Sequence, residues 1–173
     1  MKRDADFGEE HHDGIRVFRL HSRLGLPGTF FGFTRELTSA PGVASRRIRL
    51  PAPAFVHDLR KKTMHGPVSE FAVELAPGDA AFYAALPYRV DAISAGKDFS
   101  IAIKTSPVAC GLHPVKVELF TPDGRPAGSC MAEVVGGEGS WKDRVPQKVK
   151  PGRYQAVFVD FISGKTCTEH LEL

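Results

Sequence analysis

The stretch VELAPGDAAFYAALPYRV, residues 73–90, decides the fold. Its first half continues SEFAVELA (69–76), in which Phe71, Val73 and Leu75 face one way and Glu70, Ala72 and Glu74 the other. A period of two is the mark of a half-buried strand, because successive side chains of an extended chain point to opposite faces. APGD then predicts a turn, since proline fixes its own φ and glycine accepts the positive φ that follows. The second half, AAFYAALPYRV (80–90), is apolar on both alternating sets and reads as one strand buried on both faces. Phe82, Tyr83, Leu86 and Tyr88 are therefore expected in a core and not on an aromatic binding platform.

The same period extends in both directions. Upstream, IRVFRLHS (15–22), TFFGFTREL (29–37) and RRIRLPAPAFVHDLR (46–60) alternate. Pro51 and Pro53 interrupt the last of these, which predicts two short strands with a bend between them. KKTMHGP (61–67) reads as a turn. Downstream, FSIAIKTS (99–106) and HPVKVELFTPDGRPAG (113–128) follow, the latter a hairpin with Val115, Val117 and Leu119 on one face and Asp-Gly in its turn. SCMAEVV (129–135) returns, GGEGS (136–140) reads as a flexible loop, and KPGRYQAVFVDFISGKTCTEHLEL (150–173) supplies the last two strands.

Turn signals at short intervals without a long amphipathic helix predict an all-β protein of two packed antiparallel β-sandwich units, the second immunoglobulin-like. The expected division is a flexible leader at 1–14, a β-rich support unit at 15–92 and an immunoglobulin-like sandwich of seven short strands at 93–173. The first unit looks incomplete, and uncovered strand edges imply docking or a homodimer.

A 173-residue chain with 42% hydrophobic and 25% charged residues is an ordinary globular composition. A net charge of +3, with SRRIRL (45–50) and LRKKTMH (59–65) as the densest basic stretches, argues against a nucleic-acid groove. No apolar run reaches the ~20 residues of a membrane helix, and MKRDADFGEEHHDG lacks the apolar stretch of a secretory signal. Cys110, Cys130 and Cys167 are odd in number and form no C-x-x-C pair. Cys110 and Cys167 could come within bridging distance, and a structural thiol or one disulfide is favoured over a nucleophile.

The chemistry-bearing residues form no recognisable constellation. EEHHD (Glu9–Asp13) is the one dense set of metal-ligating types, but neighbouring side chains diverge at a chain end, so no metal and no cofactor is expected. Seven histidines, at 11, 12, 21, 57, 65, 113 and 170, are scattered. Asp58, Glu70, Glu74, Asp79 and Glu118 lie in strands or turns, and nothing selects the two that glycoside hydrolysis requires. GGEGS lacks the lysine and following helix of a phosphate loop. Trp141, beside that loop, is the candidate binding residue, since an aromatic there can stack on a sugar ring or a partner, with core packing or the cover of a sheet edge as the favoured alternative.

The segments RRIRLPAPAFVHDLRKKTMHGPVSEFAVELAPGDAAFYAALPYRV and FSIAIKTSPVACGLHPVKVELFTPDGRP through VKPGRYQAVFVDFISGKT occur in a familiar order. Over about residues 29–173 the chain resembles the non-catalytic C-terminal β-sandwich region of large bacterial glycoside hydrolases of the beta-galactosidase type. LAPGDAAFYAALPY is the distinctive part; PDGRP and PGRYQAVFVD recur in many β-sandwiches. The resemblance implies an accessory module that supports or positions a catalytic domain, with no catalytic residue of its own. Its partner would be a barrel domain or another protein chain, with a glycan as a further ligand. The alternatives are a free-standing glycan- or protein-binding module and a small metal-dependent hydrolase.

Overall fold

The computed structural model describes residues 10–12, 14–21, 28–108 and 110–173. Strands make up 65% of the chain, and no α-helix occurs among the described residues. The chain divides into two compact units, Met1–Pro87 and Tyr88–Leu173. That division precedes the 92/93 boundary read from the sequence, because Arg89–Ala95 is a strand of the second sheet.

The first unit holds β1 (Glu10–His12), β2 (Ile15–His21), β3 (Thr29–Arg35), β4 (Ala44–Asp58), β5 (Thr63–Leu75) and β6 (Ala80–Leu86). They form one antiparallel sheet in the order β1-β2-β3-β6-β4-β5. β1 lies inside the stretch expected to be a leader; residues 1–9 and 13 are outside the described set. The inward positions are the alternating ones: Ile15, Val17, Phe31, Phe33, Ile48, Phe71, Val73 and Leu75 are all buried. Phe71 of β5 meets Phe31 and Phe33 of β3 edge-on, at centroid distances of 5.7 and 6.4 Å. Two strands, β6 and β4, stand between them in the sheet order, so the sheet must curl around these rings, nearly into a barrel. Tyr83 closes the cluster at 5.1 Å from Phe71 and 5.8 Å from Phe33.

Three local expectations change here. LPAP does not break the chain into two strands; β4 runs on for 15 residues and absorbs the prolines as shifts in its register with β5. The turn after β4 spans residues 59–62, before most of KKTMHGP, because the Asp58 carboxylate accepts the amides of Arg60 and Lys61 at 2.9 Å each. The apolar run 80–90 is two strands, β6 and β7 (Arg89–Ala95), separated at Pro87–Tyr88. Tyr83, Leu86 and Tyr88 are buried as expected, but Phe82 is 46% exposed: Tyr83 and Ala85 join the aromatic core of the sheet, and Phe82 lies on the other face of β6, outside that core. APGD folds as read, with Gly78 at φ 83° and the Asp79 amide donating to the Ala76 carbonyl.

The second unit continues from β7 with β8 (Ser100–Ser106), β9 (Leu112–Phe120), β10 (Pro126–Val135), β11 (Glu138–Ser140), β12 (Arg153–Asp160) and β13 (Thr166–Glu172). Their order is β13-β12-β9-β10-β11-β8-β7. β10 pairs with β9 and β11 with β8, so the chain crosses from a four-stranded half to a three-stranded half at Gly136–Gly137. GGEGS is thus a tight turn and a strand, not a flexible loop: both glycines have positive φ, 64° and 99°, as a two-residue hairpin with matching twist requires. Val115, Val117 and Leu119 face the core at 1% exposure or less. At the start of β12, the Tyr154 hydroxyl donates to the Lys150 carbonyl four residues back at 2.8 Å, the tyrosine corner of immunoglobulin-like sandwiches.

Gly137 tests the crossover. A Cβ there would lie 3.1 Å from the Ile103 carbonyl oxygen on a backbone at φ 99°, whereas Gly124, at φ 80°, has nothing within 4 Å. Both substitutions by alanine incur the positive-φ strain, and Gly137→Ala adds the clash; we expect it to cost about 2 kcal/mol and Gly124→Ala about 1 kcal/mol in urea unfolding. Equal costs would mean that the crossover is not tightly held.

Candidate functional site

The densest buried cluster of reactive side chains lies in the second unit, on residues far apart in sequence. Register does the assembly: Asp160 at the end of β12 pairs with Val115 of β9, which brings it beside His113 near the start of β9. Tyr88, just ahead of β7, reaches the same point. His113 and Asp160 are 0% exposed and Tyr88 is 2% exposed. The Asp160 Oδ1 lies 2.7 Å from His113 Nδ1, and His113 Nε2 lies 3.1 Å from the Tyr88 hydroxyl. The Gly111 amide donates to that hydroxyl at 3.0 Å.

Counting donors assigns the protons. The Tyr88 oxygen accepts from Gly111, and its own proton has one acceptor on the imidazole, Nε2. Nδ1 then carries the ring proton and donates it to Asp160. The second carboxylate oxygen of Asp160 accepts from the Ser163 amide at 2.8 Å and from the Ser163 hydroxyl. Burial pushes the Asp160 carboxyl up, but the hydrogen bond and attraction of His113 and the two bonds from Ser163 outweigh it and hold the carboxyl below its ordinary value. Burial is also the main cause that pushes the Tyr88 hydroxyl up, so it stays protonated.

A tyrosine, a histidine and an aspartate in line have the order of an acid–base relay, with Tyr88 where a nucleophile would stand. Its exposure decides what it can do. A substrate must come within hydrogen-bond reach of a general base, and no part of His113 or Asp160 meets solvent. What the chain of bonds does is join the start of β7, the start of β9 and the turn after β12. Cys110, 5% exposed beside this cluster, is likewise no nucleophile: burial first, then the Asp160 charge, pushes its thiol up. Cys130 and Cys167 are also raised by burial, and all three thiols are free, so the Cys110–Cys167 bridge does not form.

The sequence-derived candidates distribute as follows. Trp141 is fully buried, 5.1 Å from the Phe99 ring and edge-on to Phe158 at 5.7 Å; with the loop beside it formed as a hairpin, it offers no face to a ligand. Of EEHHD, Glu9 and Asp13 lie outside the described residues and Glu10–His12 form β1. Among the described residues no group of three or more histidines, cysteines and acids could hold a metal. Asp58, Glu74 and Asp79 do meet, around a cleft of about 350 Å³ in the first unit. Two of those acids serve the backbone, however: Asp58 bonds the 59–62 turn, and Asp79 accepts the Ala76 amide at 3.0 Å. Tyr83 on the same cleft is pushed up to about 12 by burial, then by the Asp58 charge and hydrogen bond. Glu70 faces Arg47 and Arg49 at 3.9 Å, and Glu118 pairs with Lys116 at 2.7 Å.

Sequence reasoning missed the Tyr88–His113–Asp160 line, and also Arg35. That arginine is 6% exposed, and its guanidinium donates to the carbonyls of Ala40, Gly42 and Leu75. The one local hint was a charged or polar residue at an inward register position of an otherwise apolar strand. The chain matches no family model, and no curated protein or solved structure is significantly similar to it.

Removing one partner of the buried pair leaves the other uncompensated, so Asp160→Ala is expected to cost about 3 kcal/mol in urea unfolding. The pH dependence has a definite sign. A carboxyl held below its unfolded value contributes stability that is present above that value, about 4, and is lost as pH falls from there through the lower folded value. Asp160→Asn, which cannot titrate, should show a flatter acid limb; an unchanged limb would show that Asp160 does not contribute. The single tryptophan gives a separate check: acrylamide should barely quench native fluorescence, whereas ready quenching would place Trp141 at the surface.

Proposed function

We propose that this chain is a non-catalytic accessory module of a carbohydrate-active enzyme, supporting or positioning a catalytic domain supplied elsewhere. The sealed His113–Asp160 pair is the observation that carries it: the best-formed acid–base arrangement among the described residues is 0% exposed and serves as a joint between strands. The resemblance to the C-terminal region of beta-galactosidase-type enzymes points the same way. Its distinctive LAPGDAAFYAALPY covers the β5–β6 turn and the strand that completes the first aromatic core, and its PGRYQAVFVD covers the tyrosine corner. These are segments that build a scaffold. A glycan-binding role is the second reading, and a cleft in the second unit favours it.

Two measurements separate the accessory role from an enzyme. The isolated chain should show no turnover of nitrophenyl galactosides above buffer. A (β/α)-barrel enzyme encoded in an adjacent reading frame should gain thermal stability when this chain is added. Robust turnover by the chain alone would overturn the proposal.

A further inference from the structure

A cleft of about 550 Å³ lies at one end of the second unit and is lined from three directions. β12 and β13 form its floor, the β7–β8 turn brings Lys97, and the turn after β9 brings Thr121 and Pro122. Its volume is in the range of small-ligand sites.

Its polar groups are uncommitted. The register sets Arg153 opposite Glu172 and Gln155 opposite His170, and the period of two puts Arg153 and Gln155 on one face. Neighbouring charges of opposite sign do close elsewhere in this unit, as Lys116 and Glu118 do, two apart on β9, at 2.7 Å, and Asp123 and Arg125, two apart in the turn that follows, at 2.9 Å. Arg153 and Glu172 do not. Lys97, Arg153, Gln155, His170 and Glu172 make no side-chain hydrogen bond or ion pair with a described residue. Five polar heads thus converge on one space without satisfying one another. The charges do not cancel either: two permanent cations face one carboxylate, on a chain whose net charge is +3. Pro122 adds an apolar surface to the same cleft.

We infer that this cleft binds a carboxylate-bearing saccharide of the uronic-acid class. Lys97 and Arg153 take the carboxylate, for which a guanidinium offers paired donors. Gln155, His170 and Glu172 supply donors and acceptors for ring hydroxyls, and Pro122 takes the C–H side of the ring. A bare inorganic anion would leave the acceptors and Pro122 unused, and a neutral sugar would leave both cations uncompensated. The choice of a saccharide over another hydroxylated acid rests on the carbohydrate-associated role proposed above; the requirement for an anion rests on the cleft alone.

The test is an amide-resolved NMR titration of the intact chain with trigalacturonic acid, galactotriose and tricarballylate. Trigalacturonic acid should give saturable shifts confined to residues 97, 121, 153–155 and 170–172, and the other two should bind at least about tenfold more weakly. Arg153→Gln and Lys97→Gln should each weaken binding at least about fivefold, the loss of one charge-assisted contact, while Lys61→Gln in the first unit leaves it unchanged. The same spectra report that the variants are folded. Equal binding of galactotriose, equal binding of tricarballylate, shifts elsewhere or no saturable shift would each overturn the assignment. A failed titration with no galactoside turnover leaves the accessory role standing, and turnover overturns that role whatever the titration shows.

Discussion

The constraint on which the second unit depends is the need to satisfy a charge with no access to water. Asp160 is fully buried, and an ionised carboxylate in that setting is tolerated only if its lone pairs are filled. His113 fills one oxygen and Ser163 the other. Each partner is thereby fixed in turn: the ring by Tyr88, the tyrosine by the Gly111 amide, and the residue 160–164 turn by Ser163 and the Gly164 amide, which donates to the Asp160 carbonyl. The result couples three places in the sequence that no short-range rule connects. It also removes from reactivity the very side chains that would suggest catalysis.

The first unit solves a similar problem with the same kind of element. Its interior is a ring cluster built from β3, β5 and β6, which fixes how tightly the sheet curls. The loops at the rim have backbone groups that the sheet cannot pair. Arg35 and Asp58, both nearly buried, meet them: the arginine takes three carbonyls, the aspartate two amides. In both units the buried charged groups hold backbone in place.

How much of this was legible follows from the range of each signal. Alternation is local, and it placed Val115, Val117 and Leu119, and Phe71, Val73 and Leu75, on their buried faces. Turn chemistry is local too, hence APGD. Errors came where one segment's fate depends on another. Phe82 looked like its neighbours, and only the curl of the sheet decides which side of β6 is inside. LPAP looked like a break, but a long antiparallel neighbour lets β4 continue through a bulge. GGEGS read as flexible by composition, yet two adjacent glycines are also what a tight hairpin needs, and once that hairpin forms Trp141 is carried inward onto Phe99 and Phe158. His113 and Asp160 are 47 residues apart, a separation that alternation and turn chemistry do not span. EEHHD remains as the sequence leaves it, outside the described side chains.

The proposed accessory role and the proposed saccharide cleft are compatible, because the reactive residues are buried and the uncommitted polar ones are a separate set at the end of the sandwich. The central claim is that Tyr88, His113 and Asp160 act as one cooperative joint. A double-mutant cycle in urea with Tyr88→Phe and Asp160→Asn measures it, since the two side chains share no hydrogen bond and both bond the imidazole. The account predicts a coupling energy of about 1 kcal/mol; costs that simply add, to within about 0.3 kcal/mol, would contradict it.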